Sequence, residues 1–329
     1  MSIKVKRIKS KSFGKSKSQQ LEKFIAENDG LVFHEPFFNK IVSETFNTEY
    51  FYYEIYMNNE LVAICPAHKK RNGLLKIVEL KPLYDVPYGG FLINKNKTSF
   101  SEPEKLLKPG LFKKIIYSSA PIFIPDNINV TAFCNKETAI IDLLPSVESI
   151  WYDSIHSKRR NMIRKAIKSE ITVDAYSNEQ GLKLFWPILE NLHKRINAAH
   201  LTFEYYLNLL EYYFKTGNAV IILAKKNSKI ISGVIVIGNK YMMHYWKGAS
   251  LDDCRNIGQG ELLQWEAIKW AKSTGTKYYD LCVVEPDYLP QIAKFKLGFT
   301  NYIVPFYRFS KASFFYKVVN HIQNLIKHN

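Results

Sequence analysis

The sequence predicts an α+β fold of mixed α/β layers, built as two tandem domains that each hold a mostly antiparallel central sheet flanked by helices. Three observations predict it. A chain of 329 residues is too long for one small core and fits two compact domains. Hydrophobic residues at 47% and aromatics at 14% are enough to fill both cores, while charged residues at 23% exclude a disordered chain. The order of elements, helices and then a strand meander, occurs twice along the chain.

Residues 1–16 are basic and Ser-rich, lack the apolar stretch of a signal peptide, and read as a flexible basic arm. The spacing of Leu21, Phe24 and Ile25 starts a helix near 18. A second helix follows Glu35-Pro36, since proline is tolerated in a first turn. Strand-like runs at 50–57 and 61–68 flank the turn Asn58-Asn59-Glu60 as a hairpin. A strand at 74–80 leads into an aromatic and glycine-rich loop, 81–91. A helix over 103–116 and strands at 121–124 and 137–144 complete a first domain spanning 17–145.

The second domain spans 146–329. It opens with helical segments at 146–155 and 157–168, a short strand at 171–175, and longer helices at 179–197 and 203–215. Strands at 219–225, 230–237 and 241–247 form a meander through the turns Lys226-Asn227-Ser228-Lys229 and Gly238-Asn239-Lys240. A helix at 258–273, a strand at 278–282, a short helix at 289–296, a strand at 302–309 and an amphipathic helix from 312 end the chain.

The formal net charge is +16, from 46 Lys plus Arg against 30 Asp plus Glu. Such an excess suits a polyanionic partner: a nucleotide, a tRNA, a coenzyme or an anionic membrane surface. A Lys-, Ile- and Asn-rich composition produces the same excess without any partner. Cys65, Cys134, Cys254 and Cys282 are scattered, form no C-x-x-C and join no His cluster, which predicts reduced thiols in a cytoplasmic protein and no metal. No apolar run approaches the roughly 20 residues that span a bilayer. The segment 314–327 carries an apolar stripe at helical spacing with lysines beside it, which suits either docking on the protein's own core or peripheral contact with the inner face of a membrane.

The most specific chemical feature is Arg255-Asn256-Ile257-Gly258-Gln259-Gly260, an R-x-x-G-x-G run between a strand and an amphipathic helix. Its glycines allow close backbone approach. The free N–H groups and dipole of a helix start attract an anion such as a pyrophosphate. This run resembles the acyl-CoA pyrophosphate loop of the GNAT acyltransferases. The wider context resembles their FemAB-like branch, proteins of cell-envelope biosynthesis. The supporting stretches are 157–166, Tyr245-Trp246-Lys247-Gly248-Ala249-Ser250, Leu263-Gln264-Trp265, Lys277-Tyr278-Tyr279-Asp280-Leu281 and Phe295-Lys296-Leu297-Gly298-Phe299, with Tyr88-Gly89-Gly90-Phe91 resembling the family's Y-G-G turn.

The resemblance implies two GNAT-like domains, the donor site in the second and an acceptor groove between them. It implies that Arg255, Ile257, Gly258, Gln259 and Gly260 hold the donor. It also sets Lys296 beside the reacting centre, where an ammonium stabilises an oxyanion, with Phe295 excluding water. Asp280 ends a strand, where a carboxylate orients an amine or takes its proton. Tyr279 is a proton source for a leaving thiolate, and Glu285 and His244 are weaker candidate bases. Arg159, Arg160 and Arg164 form the best basic patch; Arg160 and Arg164 lie one turn apart and suit one phosphate group. Trp246 and Tyr88 join them on the substrate side of the resemblance. No Ser-His-Asp or Cys-His arrangement is readable, which fits direct attack by the acceptor.

The leading expectation is an N-acyltransferase that uses acetyl-CoA or another acyl-CoA on an amino group of a cell-envelope polysaccharide or a nucleotide- or lipid-linked sugar precursor. The alternative is an aminoacyl-tRNA-dependent transferase adding an amino acid to a peptidoglycan or envelope precursor. A third reading is a non-catalytic membrane or nucleic-acid binding protein on a GNAT scaffold. DNA is not an expected partner.

Overall fold

The computed structural model describes residues 2–72, 75–80, 86–97, 103–121, 136–254 and 256–328. The chain divides into two compact units, Met1–Lys136 with Pro305–Asn329 and Glu137–Val304. The first runs through β1 (Ile3–Lys9), α1 (Lys15–Glu27), α2 (Pro36–Thr45), β2 (Glu49–Met57), β3 (Glu60–Asn72), β4 (Leu75–Leu80), β5 (Leu92–Ile93) and β6 (Lys113–Ser118). β7 (Lys136–Asp142) begins at the boundary, followed by α3 (Val147–Ser149), α4 (Ser157–Lys168), β8 (Thr172–Tyr176), α5 (Glu179–Arg195) and α6 (Phe203–Lys215). Then come β9 (Ala219–Lys226), β10 (Lys229–Gly238), β11 (Met242–Ser250), α7 (Gln259–Ser273), β12 (Tyr278–Val284), α8 (Pro290–Leu297) and β13 (Ile303–Phe306). β14 (Arg308–Ala312) and α9 (Phe314–His328) return the chain to the first unit.

The first sheet has the order β1-β2-β3-β4-β6-β14, with β5 paired to β3. Strand alternation sends Tyr50 and Tyr52 to one face, where they pack against Leu21, Phe24 and Ile25 of α1. Phe51, Ile55, Cys65, Ala67, Val78 and Ile115 form a second core on the other face. The basic N-terminus is ordered as edge strand β1, paired from Ile3↔Met57 to Lys9↔Phe51, and is not a free arm. Its alternating Ile, Val and Lys residues suit a strand whose charges discourage further pairing.

The helix expected over 103–116 is replaced by a short turn, Pro103–Leu106, and strand β6. The β-branched pair Ile115-Ile116 is held between β4 and β14 there. Two segments also fall across the boundary read at 145. β7 pairs β12 in the second sheet, and β14 pairs β6 in the first. Residues 122–124 of the strand expected at 121–124, and residues 81–85 of the loop expected at 81–91, lie outside the described residues.

The second sheet has the order β13-β7-β12-β11-β10-β9-β8. One face carries Val220, Ile222, Val234, Val236, Met243 and Tyr279 against Ile163 and Ala166 of α4 and Leu262, Leu263 and Ala267 of α7. On the other face, α5 and α6 bury Phe185, Leu189, Tyr205, Tyr206 and Leu209. Trp246 of β11 packs among the last aromatics, 5.1 Å from the Tyr206 ring.

His34 is wholly buried beside α2. Its Nδ1 accepts from the Leu31 N–H at 2.9 Å, and its Nε2 donates to the Gly89 carbonyl at 3.1 Å, so the neutral ring satisfies both neighbours. Burial lowers its pKa to about 4. The unfolded chain therefore binds a proton that the folded one refuses, and stability falls as pH drops from about 6.5 toward 4. Urea midpoints recorded across that window are expected to fall with pH in the wild type and to fall less steeply in His34→Gln.

Candidate functional site

The helix start of α7 is built around a left-handed residue. Gly258 is the N-cap at φ 87 and makes no side-chain cap, and Asn256 two residues earlier is at φ 62. A Cβ on Gly258 would stand 2.2 Å from the Met162 carbonyl oxygen, so both conformation and space require glycine. Lys165 of α4 donates to the Asn256 carbonyl at 2.9 Å and holds the loop. Glu261 in the first turn of α7 is engaged by Arg159 at 2.7 Å, which neutralises the carboxylate nearest the helix start. Gly260 differs from Gly258: a Cβ there would meet only Phe295, at 3.6 Å.

Beside this helix start the sheet opens. β11 and β12 run parallel but pair at three positions only, Met242↔Tyr278, Met243↔Tyr279 and His244↔Asp280. Beyond these, irregularities sit on both strands. On β11 the register against β10 shifts so that Tyr245 faces Val236 and Lys247 faces Ile235, leaving Trp246 as the extra residue of a bulge. Tyr245 and Lys247 therefore point to opposite faces of the sheet despite their spacing of two. On β12 the register against β7 shifts between Asp280 and Val283, and Cys282 adopts φ 63. A cavity of about 310 Å³ lies beside β10 and β11, lined by Leu192, Arg195, Val234, Tyr245, Gly260, Gln264 and Phe295.

A buried charged cluster occupies the divergence. Asp280 is wholly buried; it accepts from the Thr138 hydroxyl at 2.6 Å and the Cys282 N–H at 2.8 Å, and shares a proton with His244 Nδ1 at 2.7 Å. Burial raises its pKa to about 7, against the opposing pull of the Cys282 N–H and Lys296. Lys296 is buried and donates to the Val283 carbonyl at 2.8 Å. Burial lowers its pKa, while Cys282, Asp280 and Glu285 favour its charge. Lys247, half-buried on the bulged strand, is lowered to about 8 by burial. Burial also pushes the Cys282 thiol up. His244, Asp280 and Cys282 offer ligand atoms within 4.8 Å of one another, the geometry a metal ion would need, although Asp280 already serves Thr138, His244 and Cys282.

The structure brings Lys296 and Asp280 together and sets Gly260 and Phe295 on the cavity. Ile257 packs on the core, and Gln259 donates to the Cys254 carbonyl, so both brace the loop. Arg255 lies outside the described residues. The wholly buried Tyr279 donates its hydroxyl to Gln264 at 2.9 Å, and burial pushes its pKa up, a poor setting for a proton donor to a thiolate.

Arg159 reaches Glu261 and the Lys294 carbonyl. Arg160 reaches the carbonyls of Trp151, Tyr152 and Ile155, and Arg164 donates to Asn161 at 3.1 Å. The expected convergence of Arg160 and Arg164 on one phosphate is thus not formed, because the Arg160 head is spent on the preceding helical turn. Trp246 is held in the aromatic cluster on the α5–α6 face, and Tyr88 is wholly buried in the first unit against Phe33 and Phe306.

Sequence reasoning missed Lys247, Tyr245, Cys282 and Thr138. A lysine inside an apolar strand was the available signal for Lys247. The other three are ordinary strand residues until the bulges and the pairing of β7 with β12 give them their places.

Residues 157–289 match the family described as an acetyltransferase (GNAT) domain. No curated protein matches the chain. Among solved structures the chain is similar to FemX, at 13% identity over 98% of this chain and 99% of that one, with a TM-score of 0.66. It is also similar to the C-terminal domain assigned to a lysylphosphatidylglycerol synthetase from Agrobacterium fabrum, at 10% identity over 94% and 96%, with a TM-score of 0.52. A tandem GNAT protein from the clavulanic acid biosynthesis pathway aligns at 10% identity over 95% and 100%, with a TM-score of 0.51. These likenesses are of fold, and they agree with the reading of two tandem GNAT-like units. The domain match is what supports an acyltransferase of the GNAT type, and it lies within the second unit.

The two loop glycines separate fold from site. Gly258→Ala combines a left-handed conformation with a clash and is expected to cost about 3 kcal/mol in denaturant unfolding. Gly260→Ala, in open space inside a helix, is expected to stabilise by about 0.5–1 kcal/mol.

Proposed function

We propose that this protein, working through its GNAT acyltransferase domain, moves an acyl group from an acyl-CoA, acetyl-CoA above all, to an amino group. The acceptor is a cell-envelope polysaccharide or a nucleotide- or lipid-linked sugar precursor. The observation that carries the donor assignment is the uncapped, glycine-started α7, opening on a cavity that runs beside β10 and β11. The first-turn N–H groups suit a pyrophosphate, and the channel between Tyr245 and Phe295 suits the pantetheine arm.

In the reaction the acceptor nitrogen attacks the thioester carbonyl carbon, the C–S bond breaks, and the nitrogen's proton is lost as the thiolate gains one. Lys296 supplies positive charge for the oxyanion. Asp280 keeps negative charge beside it, so that the two buried groups compensate each other. Lys247, with its pKa lowered to about 8, is the proton acceptor. A second reading, aminoacyl-tRNA as donor, draws support from the net charge of +16. The FemAB-like resemblance and a neighbour named for lysylphosphatidylglycerol both suit it.

Calorimetric titration of CoA and acetyl-CoA into the purified protein is the first test. Binding that Gly260→Glu abolishes, with the variant still folded, is the expected result. A folded wild type that ignores CoA but binds tRNA with a steep salt dependence moves the assignment to the second donor.

Release of CoA thiol with a panel of amino sugars tests the chemistry. The rate is expected to rise with pH through about 8, as Lys247 loses its proton. Lys247→Gln is expected to lose that limb and about 10²-fold or more in kcat. An unchanged pH profile in Lys247→Gln would remove this lysine from the mechanism.

A further inference from the structure

One end of the first sheet gathers positive charge. By register Arg71 of β3 faces Lys76 of β4, which faces Lys113 of β6, and Lys114 faces Ala312 next to Lys311 of β14. These positions are the C-terminal ends of β3 and β14 and the starts of β4 and β6, so they share one edge of the unit. The sequence has no Asp or Glu over 105–125 or 305–329. The Lys113 ammonium is pushed down first by burial and then by Arg7, Lys69 and Lys76, the signature of crowded cations.

The same end carries exposed apolar side chains. α9 starts two residues after β14, tied there by Ser313 N–H donating to the Lys113 carbonyl at 3.0 Å. Its Tyr316 is buried. Phe314, Val318 and Ile322, spaced four apart along the opposite side, are 74%, 40% and 49% exposed. Leu111, just before β6, is 66% exposed. The Phe112 ring meets Phe315 at 5.6 Å, and Phe315 meets Phe314 at 5.9 Å, which joins the loop tip to the helix in one patch. Lys317 lies exposed on α9 between its apolar rows.

An apolar ridge inside a rim of lysines costs solvation in water, and its charge repels a second copy of itself. A bilayer surface meets both needs: acyl chains take up the ridge and anionic headgroups the rim. No helix among the described residues is long and apolar enough to cross a membrane. We propose that this end of the first unit docks on an anionic phospholipid bilayer, with Leu111, Phe314, Val318 and Ile322 entering the interface and Lys113, Lys114, Lys311 and Lys317 facing the headgroups.

The full chain is sedimented with phosphatidylcholine vesicles, with and without about one-quarter phosphatidylglycerol. Binding that needs phosphatidylglycerol and weakens as salt is raised is expected. Lys311→Glu with Lys317→Glu is expected to weaken it by about tenfold or more, and Leu111→Ser with Phe314→Ser to a similar degree. Both pairs are surface changes, and unchanged circular dichroism and melting identify them as folded. The proposal falls if the folded wild type stays in the supernatant with anionic vesicles. It also falls if both variants bind like the wild type, or if light scattering shows that the patch joins two copies in solution. The readout needs no substrate, so it stands or fails separately from the donor assignment.

Discussion

The structure of the second unit depends on a failed strand pairing. β11 and β12 hold three pairs and then diverge, because each carries an extra residue against its outer neighbour. Two parallel strands that part in mid-sheet leave unpaired backbone and open space in what is otherwise a closed core. Asp280 holds the last of the three pairs, and the cavity lies beside β10 and β11. Cys282 holds the divergence at φ 63, a backbone state that costs a non-glycine residue of order 1 kcal/mol and is repaid by the Asp280 carboxylate accepting its N–H.

Burying a carboxylate and two ammonium groups within one unit is poor design for stability alone. Each loses hydration, and together they recover only part of it. The pKa directions record that tension: Asp280 and Cys282 rise, Lys247 and Lys296 fall. Groups displaced toward neutrality are what proton transfer near pH 7 requires, and the surrounding core holds them in place. Arg159 and Arg160, by contrast, are spent on architecture. Arg159 satisfies Glu261 in the first turn of α7, and Arg160 the carbonyls of the helical turn that precedes α4.

The glycine loop was legible because its requirement is local. A left-handed residue at a helix start between strand and helix is written in six consecutive positions. Lys296 and Asp280 were legible through the family resemblance of their flanking stretches. Tyr279 shows the limit: a tyrosine next to Asp280 on a strand must point to the opposite face, and the core there gives its hydroxyl to Gln264. Lys247 was hidden for a related reason. Simple alternation pairs it with Tyr245, and only the bulge at Trp246 sends it the other way.

The sequence by itself determined the two α+β halves, the meander over β9 to β11 and the helix that follows it, since periodicity and turns are properties of neighbouring residues, while the acyltransferase class came through the family resemblance of several stretches taken together. Tertiary structure alone decided which strands belong to which sheet. β1 is a strand only because β2 offers it an edge, and β7 and β14 cross the boundary that Pro145 suggests. It also decided which polar groups are buried together. Thr138 and Asp280 are 142 positions apart, and no local signal encodes a hydrogen bond whose partners meet only when β7 lies beside β12. Strand partnership and side-chain facing are chosen by the whole core competing for burial, and a linear reading has no access to that competition.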